Sequence, residues 1–134
     1  MDGWSSAVPS TEAAILKKFG KPQRITGVHV RSPRYETELH EIATIVYARL
    51  TVKLYKMPER QIPVQVIVKD EALVLPYGLT VGTRADVAIR ILGQPYSYEN
   101  GILRFSQEMG YPVYVSFKVA SGLIRSVEWN ATLD

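Results

Sequence analysis

The feature that most constrains this chain is a near-repeat of a punctuated helix. Ser10-Thr11-Glu12-Ala13-Ala14-Ile15-Leu16-Lys17-Lys18-Phe19-Gly20-Lys21-Pro22 aligns without gaps on Thr83 to Pro95. In both segments a hydroxyl residue, Ser10 or Thr83, stands where an N-cap side chain can accept from first-turn amides. Ile15 and Phe19 lie one turn apart, as do Val87 and Ile91, so each helix has an apolar stripe. Gly20 and Gly93 occupy the left-handed C-cap position, and Pro22 and Pro95 prevent continuation. A chain with two such helices far apart must supply two surfaces to bury them.

Those surfaces are predicted to be strands. Ile62-Pro63-Val64-Gln65-Val66-Ile67-Val68-Lys69 resembles Tyr111-Pro112-Val113-Tyr114-Val115-Ser116-Phe117-Lys118. Each alternates with period two and opens at a proline, which strand starts and edges tolerate. Turns are expected at Asp70-Glu71-Ala72 and Ala120-Ser121-Gly122, with further strands from Leu73 and Leu123. Asn100-Gly101 is a hairpin turn. The first half carries an insertion over Gln23–Ile62, read as a strand at Arg24–Val30 and a loop at Arg31-Ser32-Pro33. One long strand is then expected over Ile42–Tyr55, ending at Met57-Pro58-Glu59-Arg60. Its alternation sets Val46, Ala48, Leu50, Val52 and Leu54 against Tyr47, Arg49, Thr51, Lys53 and Tyr55. A helix over residues 36–48 is the competing reading.

The expected fold is therefore α+β: one domain over residues 1–134, built of two degenerate helix-then-antiparallel-sheet repeats. The first spans about residues 10–77 and the second about 78–134, forming one sheet with both helices on one face. At 134 residues the chain can bury a core without staples. It contains no cysteine, which removes disulfides, thiolate metal sites and cysteine nucleophiles together. No apolar run reaches the length of a membrane span. The start, Met1-Asp2-Gly3-Trp4, lacks the regions of a secretory leader. That reads as cytoplasmic, or as periplasm or cell envelope if a leader has been removed.

The net charge is +3, too small for a strong nucleic-acid footprint. Residues 1–77 carry 11 Lys and Arg against 8 Asp and Glu, while residues 78–134 carry 5 of each, completing the chain's 16 and 13. The excess thus lies in the first half, as a face for an acidic partner or as ordinary solubilising charge.

Thr80-Val81-Gly82-Thr83 leading into the second helix, Leu92-Gly93-Gln94-Pro95, Leu103-Arg104-Phe105, and Val113-Tyr114-Val115 followed by Gly122-Leu123 carry a resemblance. The pattern is similar to the superfamily of the β-lactamase inhibitory protein and the small lipoproteins of outer-membrane β-barrel assembly. It covers residues 80–129 best, and residues 10–22 and 62–73 more weakly. The resemblance implies a bacterial, non-catalytic binding protein with helices on one side of a sheet. In that family the inhibitor is a tandem repeat that docks a concave sheet face on an enzyme. The lipoproteins' lipid-bearing cysteine and the inhibitor's disulfides have no counterpart here.

Strand parity nominates the solvent side of the sheet as the partner-binding surface. Tyr47, Arg49, Lys53 and Tyr55 are expected beside Gln65, Ile67 and Lys69, with Arg104, Ser106, Tyr114, Ser116 and Lys118 from the second half. Tyr and Arg are enriched at interface hot spots because they combine large area with polar tips. Tyr and Thr also simply favour strands. The partner expected is another protein; nucleic acid or a small ligand on the same face is the alternative, since aromatic and basic side chains on a sheet can stack bases. His29, Glu36, Glu38, His40 and Glu41 match no metal motif, and no metal or cofactor is expected. The two histidines lie in the insertion and no Gly-x-Ser-x-Gly elbow exists, so the chain reads as no enzyme. Tyr77-Gly78-Leu79-Thr80-Val81-Gly82-Thr83 lacks the Gly-Lys-Ser/Thr ending of a phosphate loop. Trp129 is expected inside the core with Val127, and Trp4 as a terminal packing residue.

Overall fold

A computed structural model describes residues 8–31, 39–108 and 112–131. Among them are two α-helices, α1 (Glu12–Phe19) and α2 (Ala85–Leu92), a short 3-10 turn at Pro76–Gly78, and eight strands. The strands are β1 (Arg24–Arg31), β2 (Leu39–Val46), β3 (Leu50–Lys56), β4 (Gln61–Val68), β5 (Ser97–Glu99), β6 (Ile102–Glu108), β7 (Pro112–Ala120) and β8 (Leu123–Ala131). They form one antiparallel sheet in the order β1-β2-β3-β4-β8-β7-β6-β5. The fold is α+β. Each helix precedes four strands, and the two sets of four meet where β4 pairs with β8.

Sequence punctuation accounts for the helices, with shifts at their starts. Thr11, not Ser10, caps α1: its Oγ1 accepts from the Ala14 amide at 3.2 Å. Gln61 on β4 closes another first-turn amide, with its Oε1 2.8 Å from the Glu12 nitrogen. Glu12 in the first turn and Lys17 and Lys18 in the last complement the helix dipole. In α2 no side chain caps the N-terminus; Thr83 instead donates to the Gly78 carbonyl. A backbone contact to the β7–β8 turn replaces the cap, because the Ala85 amide reaches the Gly122 carbonyl at 2.9 Å. Both helices end as expected, at Gly20 (φ 83°) and Gly93 (φ 90°), a region that costs a residue without Cβ little.

The strands show one correction that reorganises a face. Residues 42–55 are not one strand but the hairpin of β2 and β3, closed by the Tyr47 amide on the Leu50 carbonyl at 2.7 Å. Ala48 and Arg49 make a two-residue turn in which neither takes positive φ. Nothing in their composition announces a turn, whose usual residues are Gly, Asn, Asp and Pro. A hairpin with two loop residues pairs odd positions of β2 with even positions of β3. Ile45 and Val52 therefore share a side, and Tyr47 lies on the side of Leu50. Residues 39–46 are strand, which excludes the competing helix there; residues 36–38 lie outside the described set.

The match between the two Pro-Val segments also joins strands of different rank. Residues 62–68 lie in β4, the fourth strand after α1, whereas residues 112–118 lie in β7, the third after α2. No strand starts at Leu73; the chain turns there, with the Ala72 amide on Asp70 Oδ1 at 2.9 Å. Pro63 sits inside β4 rather than at its start. Opposite it, β3 and β4 shift register between Lys53 and Leu54, so Leu54 faces Pro63 and Val64 is the extra residue. Such a bulge exchanges the faces, and Pro63 rather than Ile62 is buried beside Leu54. Asn100-Gly101 and Ser121-Gly122 make the expected tight turns, both residues of each pair at positive φ.

The core lies between the helices and one side of the sheet. Ile15 of α1 and Ala88 of α2 join one apolar cluster with Ile45, Val52, Leu54, Val66 and Val68 from the first four strands. Leu103, Phe105, Val113, Val115, Phe117, Ile124, Val127 and Trp129 join it from the second set, and Val8, Leu50, Leu75 and Leu79 complete it. Cross-strand pairs such as Val66 with Trp129 and Val115 with Trp129 put these on one side of the sheet. Both helices thus cover the same side and share one core. The Trp129 indole nitrogen is buried without a hydrogen-bond partner, so the residue acts there as an apolar plate. Among the described residues no helix is long and apolar enough to cross a membrane.

Candidate functional site: the outer face of the sheet

The side of the sheet away from the helices carries two cross-strand rows that run through both sets of strands. Register places Thr44, Lys53, Gln65, Asn130, Tyr114 and Ser106 side by side. The adjacent row runs Val46, Thr51, Ile67, Glu128, Ser116, Arg104 and Ser97. Each polar side chain is there because period-two alternation gives its strand neighbours to the core.

The centre of this face is braced. Gln65 Nε2 donates to Asn130 Oδ1 at 2.7 Å, and Asn130 Nδ2 donates to Glu128 Oε2 at 2.8 Å. The chain of bonds crosses the β4–β8 junction and holds three side chains in set rotamers, so a partner meeting them orders little. Toward the β5 end, Tyr114 and Tyr96 meet edge to face, ring centroids 6.5 Å apart. Tyr114 is 40 % and Tyr96 58 % exposed, which is large for rings packed on one another. Arg104 lies one row away with Nη1 3.4 Å from Ser97 Oγ, and Lys118 is exposed beyond it.

Of the nine residues nominated by sequence, the structure puts Lys53, Tyr55, Gln65, Arg104, Tyr114 and Lys118 on the outer face. Tyr55 is not a free anchor, because it is buried and its hydroxyl is 2.7 Å from His40 Nδ1. The two rings also meet edge on, with centroids 5.3 Å apart.

Tyr47 is a correction. The β2–β3 turn carries it to the helix side, where its ring packs on Phe19 at 5.9 Å and its hydroxyl donates to the Gly20 carbonyl at 2.8 Å. Burial raises its phenol pKa above the ordinary value. Arg49 stands in the turn itself and Lys69 just past β4, so both lie at the end of the sheet rather than on its face. They hold each other: the Lys69 amide reaches the Arg49 carbonyl at 2.8 Å, and Arg49 Nη1 donates to the Lys69 carbonyl at 3.3 Å.

Sequence reasoning passed over Glu128, Asn130 and Tyr96, and weighed His40 only as a metal ligand. Placing Trp129 and Val127 in the core already required Glu128 and Asn130 to point outward, so that signal was present. No local pattern marks Tyr96, which belongs to a loop end and reaches Tyr114 only through the β5–β6–β7 pairing.

The histidines and acids of the insertion do not converge. His29 pairs with Glu41 on the helix side, whereas His40 faces outward. Glu36 and Glu38 lie outside the described residues. Among the described residues no group of three His, Asp or Glu side chains is placed to share a metal. Glu41 instead joins Glu12 around the Lys56 ammonium, 3.5 Å from it on its own side. The hydrogen bond to Glu12 is the main reason that the Lys56 pKa is raised, ahead of the opposing effect of burial.

No protein-family model matches the sequence, and a search of curated proteins finds no match. Among solved structures, that of the uncharacterized protein yfeY from Escherichia coli is similar. It is 10 % identical, with 95 % of this chain and 92 % of that one covered and a TM-score of 0.42.

Proposed function

We propose that this chain is a non-catalytic protein-binding module of the inhibitor, immunity or envelope-assembly kind, and that it captures another protein on the outer face of its sheet. The observation that carries the reading is the braced, aromatic and basic surface spanning both sets of strands. Gln65, Asn130 and Glu128 form its rigid centre, the Tyr96–Tyr114 pair supplies anchoring area, and Lys53, Arg104 and Lys118 supply charge around it. Rigid faces of this composition suit surface complementarity, in which a few anchors carry most of the affinity. The element order, one helix followed by four strands in each half, supports a further part of the proposal. The halves are degenerate copies of one unit, residues 10–77 and 78–134, as in the inhibitory-protein superfamily the sequence resembles.

A nucleic-acid reading of the same face meets the Glu128 carboxylate at its middle, where a phosphate backbone would be repelled. Binding of single-stranded RNA that weakens steeply with salt would restore that alternative.

The test is site-specific photocrosslinking in native extract. A crosslinking side chain at position 53 or 114 is expected to trap one and the same polypeptide, and one at Ile91, exposed on α2, to trap none. Equal labelling from all three positions, or none from positions 53 and 114, refutes the proposal.

A further inference from the structure

The two ends of the sheet are finished differently, and among the described residues the β1 end is open. At the far end β5 has three residues, too few to template a partner. β1 has eight, paired in unbroken register with β2 on one side and, among the described residues, with no strand on the other. Protected edges carry charge, proline, a bulge or a cover, and of these β1 has, among the described residues, only its cations. β1 has neither proline nor bulge, and nearly all of it is exposed. Apolar side chains project on both sides: Val28, 62 % exposed, on the outer face, and Ile25, 43 % exposed, on the helix side. Ile25 also borders a shallow groove formed with Leu16, Lys21, Pro22 and Arg24, where α1 hands over to the strand.

The strand's own charged side chains have one sign, although the Glu41 carboxylate of β2 lies against Gly27 on the helix side. β1 contains Arg24, His29 and Arg31 and no carboxylate, and Lys21 stands just before it. Glu41, opposite His29, is paired to Lys56. A second copy of β1 would bring cations against cations, which opposes pairing.

We propose that β1 accepts an extended, carboxylate-bearing segment of another protein as an added antiparallel strand. Backbone bonds supply the affinity of such additions and alternate side chains the specificity. The register dictates the segment. Reading against β1 from Val28 to Arg24, it needs an apolar residue opposite Val28, two spacers, an apolar residue opposite Ile25, then an acid opposite Arg24, with a further acid within reach of Lys21. This edge lies apart from the Gln65–Asn130–Glu128 centre and the Tyr96–Tyr114 pair, and the proposal stands or falls without them.

The probe is the fluorescein-labelled peptide Thr-Val-Thr-Thr-Val-Glu-Asp, titrated against the full chain at low salt. Saturable binding is expected, with added hydrogen-exchange protection at residues 24–30. Replacing Glu-Asp by Lys-Lys should weaken it about tenfold, from two exposed ion pairs lost and reversed, and Arg24→Glu should invert that preference. Two further probes, N-methylated on one or the other set of alternate residues, separate strand addition from adhesion. Only one set points its amides at β1, so one probe should lose binding and the other keep it. No saturable binding, equal binding of both methylated probes, or protection of β1 that grows with protein concentration alone, which would identify a second copy as the occupant, each overturns the proposal.

Discussion

The two halves of the molecule use one order of elements and solve their turns differently. In the second half, β5–β6 and β7–β8 reverse at Asn100-Gly101 and Ser121-Gly122, pairs that take positive φ and match the twist of the strands. In the first half, β2–β3 reverses at Ala48-Arg49 and β3–β4 at Pro58-Glu59, without positive φ in either pair. The Ala48-Arg49 reversal is held from outside, by the mutual backbone and guanidinium contacts of Arg49 and Lys69. Among the described turns, those of the second half are specified locally, whereas the Ala48-Arg49 turn of the first depends on a neighbouring strand end. The same contrast holds for the helices in reverse. α1 has a side-chain cap in Thr11, and α2 relies on the backbone of the β7–β8 turn. Each half borrows where the other is self-sufficient.

The largest test asks whether the halves share one fate. Phe117 and Ile45 are both fully buried, one in each half, within one cluster. Phe117→Ala should cost about 3–5 kcal/mol and Ile45→Ala about 2–4 kcal/mol in urea unfolding. Each should shift a single transition seen by every probe. Two separable transitions, with Phe117→Ala sparing one, would show that the halves fold apart.

A middle-sized effect sharpens the turn comparison. Gly101 lies at φ 75°, and a Cβ there would stand 3.1 Å from the Val119 carbonyl oxygen. Gly101→Ala should cost about 1–2 kcal/mol of stability from backbone strain. Ala48→Gly, where φ is ordinary, should cost roughly 0.5 kcal/mol or less. Equal costs would mean that the two turns do not differ as described.

The smallest effect is silent at neutral pH and, among the described residues, belongs to the first half. Folding raises the pKa of Lys56 above 10.5 and that of Tyr47 above 10.0. For a group whose folded pKa is raised, the stabilisation is complete below the unfolded pKa and is lost as pH rises through the folded one. Stability should thus hold to about pH 10 and fall above it. Lys56→Met, which removes the ion pairs with Glu12 and Glu41, should flatten part of that fall in thermal melts against pH. An unchanged profile in Lys56→Met would remove Lys56 from this account.

Legibility in the sequence followed how local each signal was. The helix ends at Gly20 and Gly93, the strand at 24–30, the Asn100-Gly101 turn and the inward Trp129 were all readable, because each depends on a few adjacent residues. The face of Tyr47 was not. One unmarked turn at Ala48-Arg49 changes the parity of everything before it, and the error sent a residue that packs on Phe19 to the wrong side. Asn130 and Glu128 were recoverable from parity, but their bonding to Gln65 needed knowledge that β4 lies beside β8.

By itself, then, the sequence determined the α+β class, both helices, and most residues of the inward and outward faces, since alternation and capping act over a single turn or a single pleat. Only the tertiary structure decided the order of strands, the bulge that buries Pro63, the carbonyl of Gly122 serving α2, and the open β1 edge. Those follow from pairing between residues distant in the chain, where many registers satisfy the same local pattern and the shared core selects one.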